Sequence, residues 1–310
     1  MNAVFDVVVP VFTIVLLGYG LARAGVFTAS TSEGLTGFMF YVAVPAMLFR
    51  TLATTTLPDT FPWNYLLAFY GPSFLIFLCG VALSARRFGW PRRDQGIAAI
   101  TASYSNMVML GFPLVVTAFG EAGALPLFIL LAFQSTLLFP ATTWMIEIYG
   151  RASDDVGPGI FLSVGKLLLN PVILSLGLGI GANLFSISIS GAPARILDTI
   201  GAAAPACALV ALGVGLAQYE LRGELQKSLA LVFLKGIVHP ILVWISCWVF
   251  GVATLWTQVA VLLAAMPTGI NAFIFARNYD IRVGVVTKTI VMSTLLSIIT
   301  VSLLLQRFLN

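Results

Sequence analysis

The residues of this sequence that could do chemistry are few, and all stand inside long apolar stretches. Pro113 closes the run Asn106-Met107-Val108-Met109-Leu110-Gly111-Phe112-Pro113, and Pro267 lies in Met266-Pro267-Thr268-Gly269-Ile270-Asn271. A proline with nearby glycine inside an apolar helix removes backbone hydrogen bonds where lipid cannot replace them. Such breaks persist where the freed groups are buried in protein or line a polar cavity. One helix is expected to unwind around Gly111–Pro113 and another around Pro267–Gly269. Running antiparallel, the two would aim half-helix N-termini at one spot near the midplane. Free N–H groups and a partial positive charge there suit a carboxylate. The candidate substrate-binding residues are therefore Asn106, Gly111, Pro113, Pro267, Gly269 and Asn271. The plainer alternative for each break is a packing kink, and for each asparagine a helix cap.

Charge within the apolar stretches is scarce. Lys235 and His239 are one turn apart and share a helix face, and Lys288 lies about two turns into the last apolar stretch. These three are candidates for coupling or charge compensation, Lys235 or Lys288 as a fixed positive charge and His239 as a proton relay. Snorkelling for Lys288 and simple packing for His239, beside Pro240, are the alternatives. Glu147 closes a helix at an interface. No Gly-x-x-x-x-Gly-Lys-Ser/Thr loop occurs, so ATP hydrolysis has no support. Gly177, Gly179 and Gly181 mimic part of a dinucleotide fingerprint but fall inside an apolar helix, where close packing explains them better. One histidine and three scattered cysteines, Cys79, Cys207 and Cys247, assemble no metal or hydrolase site, so no enzyme and no cofactor is expected. Coupling to H+ or Na+ stays open.

The elements that must hold these residues follow from composition. Of 310 residues, 59% are hydrophobic and only 9% charged, with mean hydropathy +1.02. A soluble surface needs about 25% charged residues, so the solvent of this chain is a lipid bilayer. Hydropathy predicts ten helical spans, near 4–22, 32–52, 63–84, 95–118, 124–148, 160–181, 196–217, 227–250, 254–277 and 283–306. The first reads as a retained span rather than a cleaved signal. With the N-terminus outside, inner ends hold Arg23, Arg86, Arg87, Arg92, Arg93, Arg151, Lys166, Arg222, Lys227, Arg277 and Arg282. Outer ends hold Arg50, Arg195 and Arg307. This bias places both termini outside. The net charge of +4 is thereby a mark of topology, and no nucleic-acid partner is expected.

The halves resemble each other in order. Pro10, Gly18 and Gly20 answer Pro171, Gly177 and Gly179; Val44-Pro45-Ala46 answers Ala204-Pro205-Ala206; Pro113 with Phe119 answers Pro267 with Phe273. Five spans per repeat, an odd number, turn the second copy upside down. Inverted repeats with paired broken helices are a signature of secondary transporters.

These residues carry a family resemblance over almost the whole chain. Asn106-x6-Pro113, Pro267-x-Gly269-x-Asn271-Ala272-Phe273 with Ala276 and Tyr279, Pro10-Val11-Phe12 with Gly18-Tyr19-Gly20, and Asn170-Pro171 are similar to the auxin efflux carrier family of permeases. That family includes plant carriers and bacterial members labelled malonate transporters. The resemblance implies an all-α, ten-span fold of two inverted five-helix repeats, residues 1–150 and 151–310, similar to sodium/proton antiporters. It implies a scaffold of spans 1, 2, 6 and 7, often dimerising, and a transport part of spans 3–5 and 8–10. Broken spans 4 and 9 would cross there and bind an organic carboxylate, with Asn106 matching the family's substrate-contacting asparagine. Plant carriers carry a second proline where this chain has Ala272, and their long central loop is replaced here by Arg151 to Gly159. The expectation is an inner-membrane permease for a small organic anion, working as an elevator. A sodium-coupled bile-acid-type symporter, a passive channel and a membrane-embedded sensor are the alternatives.

Overall fold

The computed structural model describes residues 4–55, 61–150, 171–219 and 224–309. The expected start of the sixth span, the loop Arg151 to Gly159, Lys166, Asn170 and Arg222 lie outside the described residues. The described chain is helical, with a single isolated backbone bridge between Ser105 and Thr268. The helices are α1 (Val9–Arg23), α2 (Ala29–Phe38), α3 (Val44–Thr54), α4 (Trp63–Arg86), α5 (Arg92–Ser103), α6 (Phe112–Phe119), α7 (Ala124–Gly150), α8 (Pro171–Leu184), α9 (Gly191–Ala202), α10 (Ala204–Ala217), α11 (Leu225–Phe233), α12 (His239–Val249), α13 (Thr254–Ala264), α14 (Ile270–Asn278) and α15 (Val283–Leu309).

Seven helical stretches among the described residues are long and apolar enough to cross a bilayer: Phe5–Arg23, Ala29–Thr54, Trp63–Arg86, Met107–Tyr149, Gly191–Ala217, Leu225–Val249 and Val283–Leu309. The chain is an integral membrane protein. Each of the expected spans 4 and 9 is cut in two, so that span 9 fails the length test and span 4 passes it only through its second half, which runs on into span 5 as Met107–Tyr149. The cut between α13 and α14 falls at Pro267, where the sequence places it. The other does not fall at Gly111–Pro113. There the backbone is helical, with Gly111 at φ −61°, ψ −46° and Phe112 at φ −59°, ψ −54°. The chain leaves the helix earlier, at Tyr104 (φ −81°, ψ 114°) and Asn106 (φ −76°, ψ 65°).

Proline chemistry explains the difference. A π-helical segment precedes α1, α3, α6 and α12, at Val4–Val8, Met39–Ala43, Met107–Gly111 and Leu234–Val238. In every case it ends two residues before a proline: Pro10, Pro45, Pro113 and Pro240. A prolyl ring collides with the carbonyl four residues back and has no N–H to give it. Widening the preceding turn to an i→i+5 pattern removes that clash without ending the helix. Pro113 therefore widens its rod, and the break belongs to the polar run Tyr104-Ser105-Asn106.

Packing of the remaining rods depends on close backbone approach. α1 lies along α10, and α3 lies along α8. A Cβ on Gly18 would stand 2.4 Å from the Val210 carbonyl oxygen, and one on Gly179 would stand 3.0 Å from that of Phe49. Gly20 and Gly177 face open space. At one end of the bundle Arg282 pairs with Asp94 at 2.7 Å, and Arg93 donates to the Tyr279 carbonyl at 2.9 Å. Elsewhere on the surface Arg50 pairs with Asp198 at 3.0 Å, joining α3 to α9.

Candidate functional site

Two interrupted rods cross at the Ser105–Thr268 bridge. The Asn106 N–H donates to the Pro267 carbonyl at 2.9 Å, and the Gly269 N–H donates to the Tyr104 carbonyl at 2.9 Å. Each break thus satisfies the other, as a buried backbone away from water requires. The remaining freed groups find side chains. Gln134 of α7 donates to the Ser105 carbonyl at 2.9 Å. The Thr268 hydroxyl donates to the Thr101 carbonyl at 2.8 Å, and the Thr268 N–H donates to Ser293 Oγ at 3.1 Å. Ser105 Oγ is the exception, a buried hydroxyl with no partner. Only a residue without Cβ fits at 269, since one would stand 2.6 Å from the Tyr104 ring.

The geometry sorts the helix poles. The C-terminal ends of α5 and α13 point their carbonyls into the protein, and a buried lysine answers one of them. Lys235, wholly buried on the Leu234–Val238 segment, donates through Nζ to the Ala264 carbonyl at 2.6 Å. The same Nζ lies 3.2 Å from His239 Nδ1, and His239 Nε2 lies 3.0 Å from Ser73 Oγ. Ser73 in turn donates to the Phe69 carbonyl at 2.8 Å. A continuous hydrogen-bonded chain therefore links α13, α12 and α4. A cation at a helix C-terminus is the favourable sign for the dipole.

The N-terminal poles face the other way, into a cavity of about 530 Å³. Asn106, Met107, Val108 and Met109 line it at the start of one half-rod; Gly269, Ile270 and Asn271 line it at the start of the other. The first N–H groups of a helix have no partner within it. Asn106 Oδ1 accepts from the Met109 N–H at 3.2 Å, which fixes the amide and leaves Nδ2 for the cavity. Asn271 Nδ2 donates to the Tyr104 hydroxyl at 2.9 Å, and that hydroxyl lies 2.9 Å from Ser135 Oγ. Opposite walls come from α2, the Met39–Ala43 segment and the end of α10, through Ser32, Gly37, Tyr41 and Gln218. The cavity runs from the crossover toward the bundle end that carries Glu33 and Arg277.

Of the residues picked from sequence, Asn106, Gly269 and Asn271 meet at this cavity. Gly111, Pro113 and Pro267 are buried outside its lining, with Gly111 packed on Leu263 and Pro113 set inside a helix. Their part is to shape the rods. Lys235 and His239 sit together behind the crossover, while Lys288 is half-buried on α15 and lines no part of the cavity. Sequence reasoning missed Tyr104, Gln134, Thr268 and Ser293. Their signal was polarity inside apolar helices, where an unpaired group is costly.

The family model described as "Membrane transport protein" matches residues 3–154 and 160–305, nearly the whole chain. The chain belongs to the membrane transport protein family. It is a membrane transporter and not an enzyme. A relative from Rhizobium meliloti, described as a "Putative malonate transporter", is 28% identical over 309 residues, covering 98% of this chain and 96% of that protein. An "Uncharacterized transporter" of Methanothermobacter thermautotrophicus is 25% identical, covering 96% of each chain. "Auxin efflux carrier component 5" of Arabidopsis thaliana is 25% identical, covering 95% of this chain and 93% of that protein. The resemblance to auxin efflux carriers read from the motifs therefore holds.

Proposed function

We propose that this transporter is a secondary carrier for a small organic anion, and that the solute's carboxylate binds at the crossover. One observation carries the reading: Asn106 Nδ2 and two opened helix starts converge on one cavity of about 530 Å³. Amide donors with positive dipole ends are the recognised chemistry for a carboxylate. Gly269 and Asn271 complete this site, while Gly111, Pro113 and Pro267 act by shaping the backbone. Malonate, named for the Rhizobium relative, is a solute of suitable size.

The transport cycle in this proposal is an elevator-type displacement of spans 3–5 and 8–10 against a scaffold of spans 1, 2, 6 and 7. A matched pair of helix contacts, as two inverted repeats would give, supports it. The contact of Gly18 with Val210 and that of Gly179 with Phe49 are the same pair, each residue being shifted by 161 positions. On this reading Gly18 answers Gly179, two residues away from the partner that simple motif alignment gives. A repeat relating span 1 to span 6 and span 2 to span 7 maps the α1–α10 contact onto the α8–α3 contact. The scaffold is proposed to form the homodimer, in a bacterial inner membrane with both termini outside.

Lys235 stands at the negative pole of α13, where a coupling cation would otherwise be required. That favours a carrier with a resident charge over a sodium symporter, and makes H+ the preferred coupling ion. His239 and Ser73 extend the path for that proton, while Lys288, outside the cavity lining, takes no direct part in holding the solute. The deciding experiment is counterflow of labelled malonate in proteoliposomes. Saturable exchange in the wild type, falling at least tenfold in Asn106→Ala, is the expected result. Full uptake by Asn106→Ala removes the site, and flux that never saturates makes the protein a channel.

A further inference from the structure

The mouth of the cavity holds an arginine without a partner. Arg277 lines the same space as Asn106 and Asn271, and its guanidinium enters none of the ion pairs or side-chain hydrogen bonds of the described residues. It is the last member of a stripe on α14, Ile270, Phe273, Ile274 and Arg277, all of which line the cavity. Seven residues make two helical turns, so this stripe keeps one face. Side chains on a helix lean toward its N-terminus, which turns the long arginine stem back toward the crossover. The Arg277 backbone stands two helical turns, ~10 Å, along α14 from its opened start, a gap that the arginine stem and a short solute span together.

On the opposite wall, α2 presents Glu33, the other charged residue of the lining. Glu33 likewise enters no ion pair among the described residues. The two charges stand on different walls of one cavity. A guanidinium there presents a planar fork that matches a carboxylate with two parallel hydrogen bonds.

We infer that Arg277 is a specificity-determining residue that binds the far carboxylate of a short dicarboxylate whose near carboxylate lies at Asn106. The inference rests on the carboxylate site proposed above and adds a second anchor to it. A monocarboxylate fills only the first anchor and leaves the Arg277 guanidinium unbound. The second charge of a dicarboxylate meets the Glu33 carboxylate across the cavity, so Glu33 lowers diacid affinity by like-charge repulsion and touches monoacids less. A purely structural arginine, placed in the last turn to answer the α14 dipole or to sit at a basic interface, would not discriminate the two solutes.

The test measures binding of two matched pairs, acetate with malonate and propionate with succinate, to the full-length protein in detergent above neutral pH. The wild type is expected to prefer the diacid of at least one pair by tenfold or more. Arg277→Gln should cut diacid affinity at least tenfold and leave monoacid affinity within twofold, with Arg277→Lys between them. Glu33→Gln should raise diacid affinity more than monoacid affinity. A retained diacid preference in Arg277→Gln overturns the inference, as does a wild type that prefers no diacid or binds none. Should Arg277→Gln not fold, unchanged diacid affinity in Glu33→Gln overturns it instead. Asn106→Ala separates the two levels. Loss of all binding there, with Arg277→Gln inert, sinks only the second anchor, whereas unchanged binding in Asn106→Ala sinks the carboxylate site itself.

Discussion

Lys235 holds the broken end of α13 by donating to the Ala264 carbonyl at 2.6 Å from a fully buried position on a neighbouring rod. The bond joins three requirements. It satisfies a carbonyl freed by the Pro267 break, it sets a hydrogen-bond donor at the C-terminal end of a half-helix, and it anchors His239 and Ser73 behind the site. Lys235→Met keeps the apolar stem and removes the donor. An unsatisfied buried carbonyl costs about 1–3 kcal/mol, so the variant should melt several degrees lower in detergent. Transport should fall further than stability accounts for, because the crossover loses its fixed charge. Unchanged melting and unchanged counterflow together would show that Lys235 is inert.

Tyr104 joins the two half-rods by its hydroxyl, which accepts from Asn271 and contacts Ser135. Its ring stacks on Phe139 at 5.2 Å, so Tyr104→Phe keeps the packing and deletes only the polar link. Loss of one such bond is worth about 1 kcal/mol. Malonate affinity in the purified protein should weaken roughly fivefold, with little change in melting. An affinity equal to wild type would mean that Asn271 needs no orientation from Tyr104.

Gly269 and Gly177 offer a matched contrast. A methyl group at 269 enters the Tyr104 ring and approaches the Ser105 carbonyl, while one at 177 meets nothing within 4 Å. Overpacking a tight site costs about 1–3 kcal/mol. Gly269→Ala should therefore lower both melting temperature and uptake, and Gly177→Ala should leave both within error. Equal behaviour of the two alanine variants would contradict the close approach at the crossover.

The proposed sidedness has a direct measurement. Alkaline phosphatase fused after Leu309 should be active, and a fusion following Arg87 should be silent. The reverse pattern would place the Arg277 mouth of the cavity on the exterior and invert the direction in which this state is open.

What sequence alone could determine was set by the bilayer. Nine per cent charge sets the membrane class, and long unbroken apolar runs make the spans helical and bury every break in them. Pro267, Gly269, Asn106 and Asn271 were equally legible, because polar or donor-poor residues in hydrocarbon must be answered by something. The exact seat of the first break was not. Pro113 has the stronger local signal, yet a widened turn absorbs it, while Tyr104-Ser105-Asn106 opens because Thr268, Pro267 and Gly269 arrive to bond it. That Lys235 would cap Ala264 or that Arg277 would share a cavity with Asn106 depends on contacts between residues far apart in the chain. Those partners are chosen by how helices pack, through close approaches such as Gly18 on Val210, and tertiary structure alone decides them.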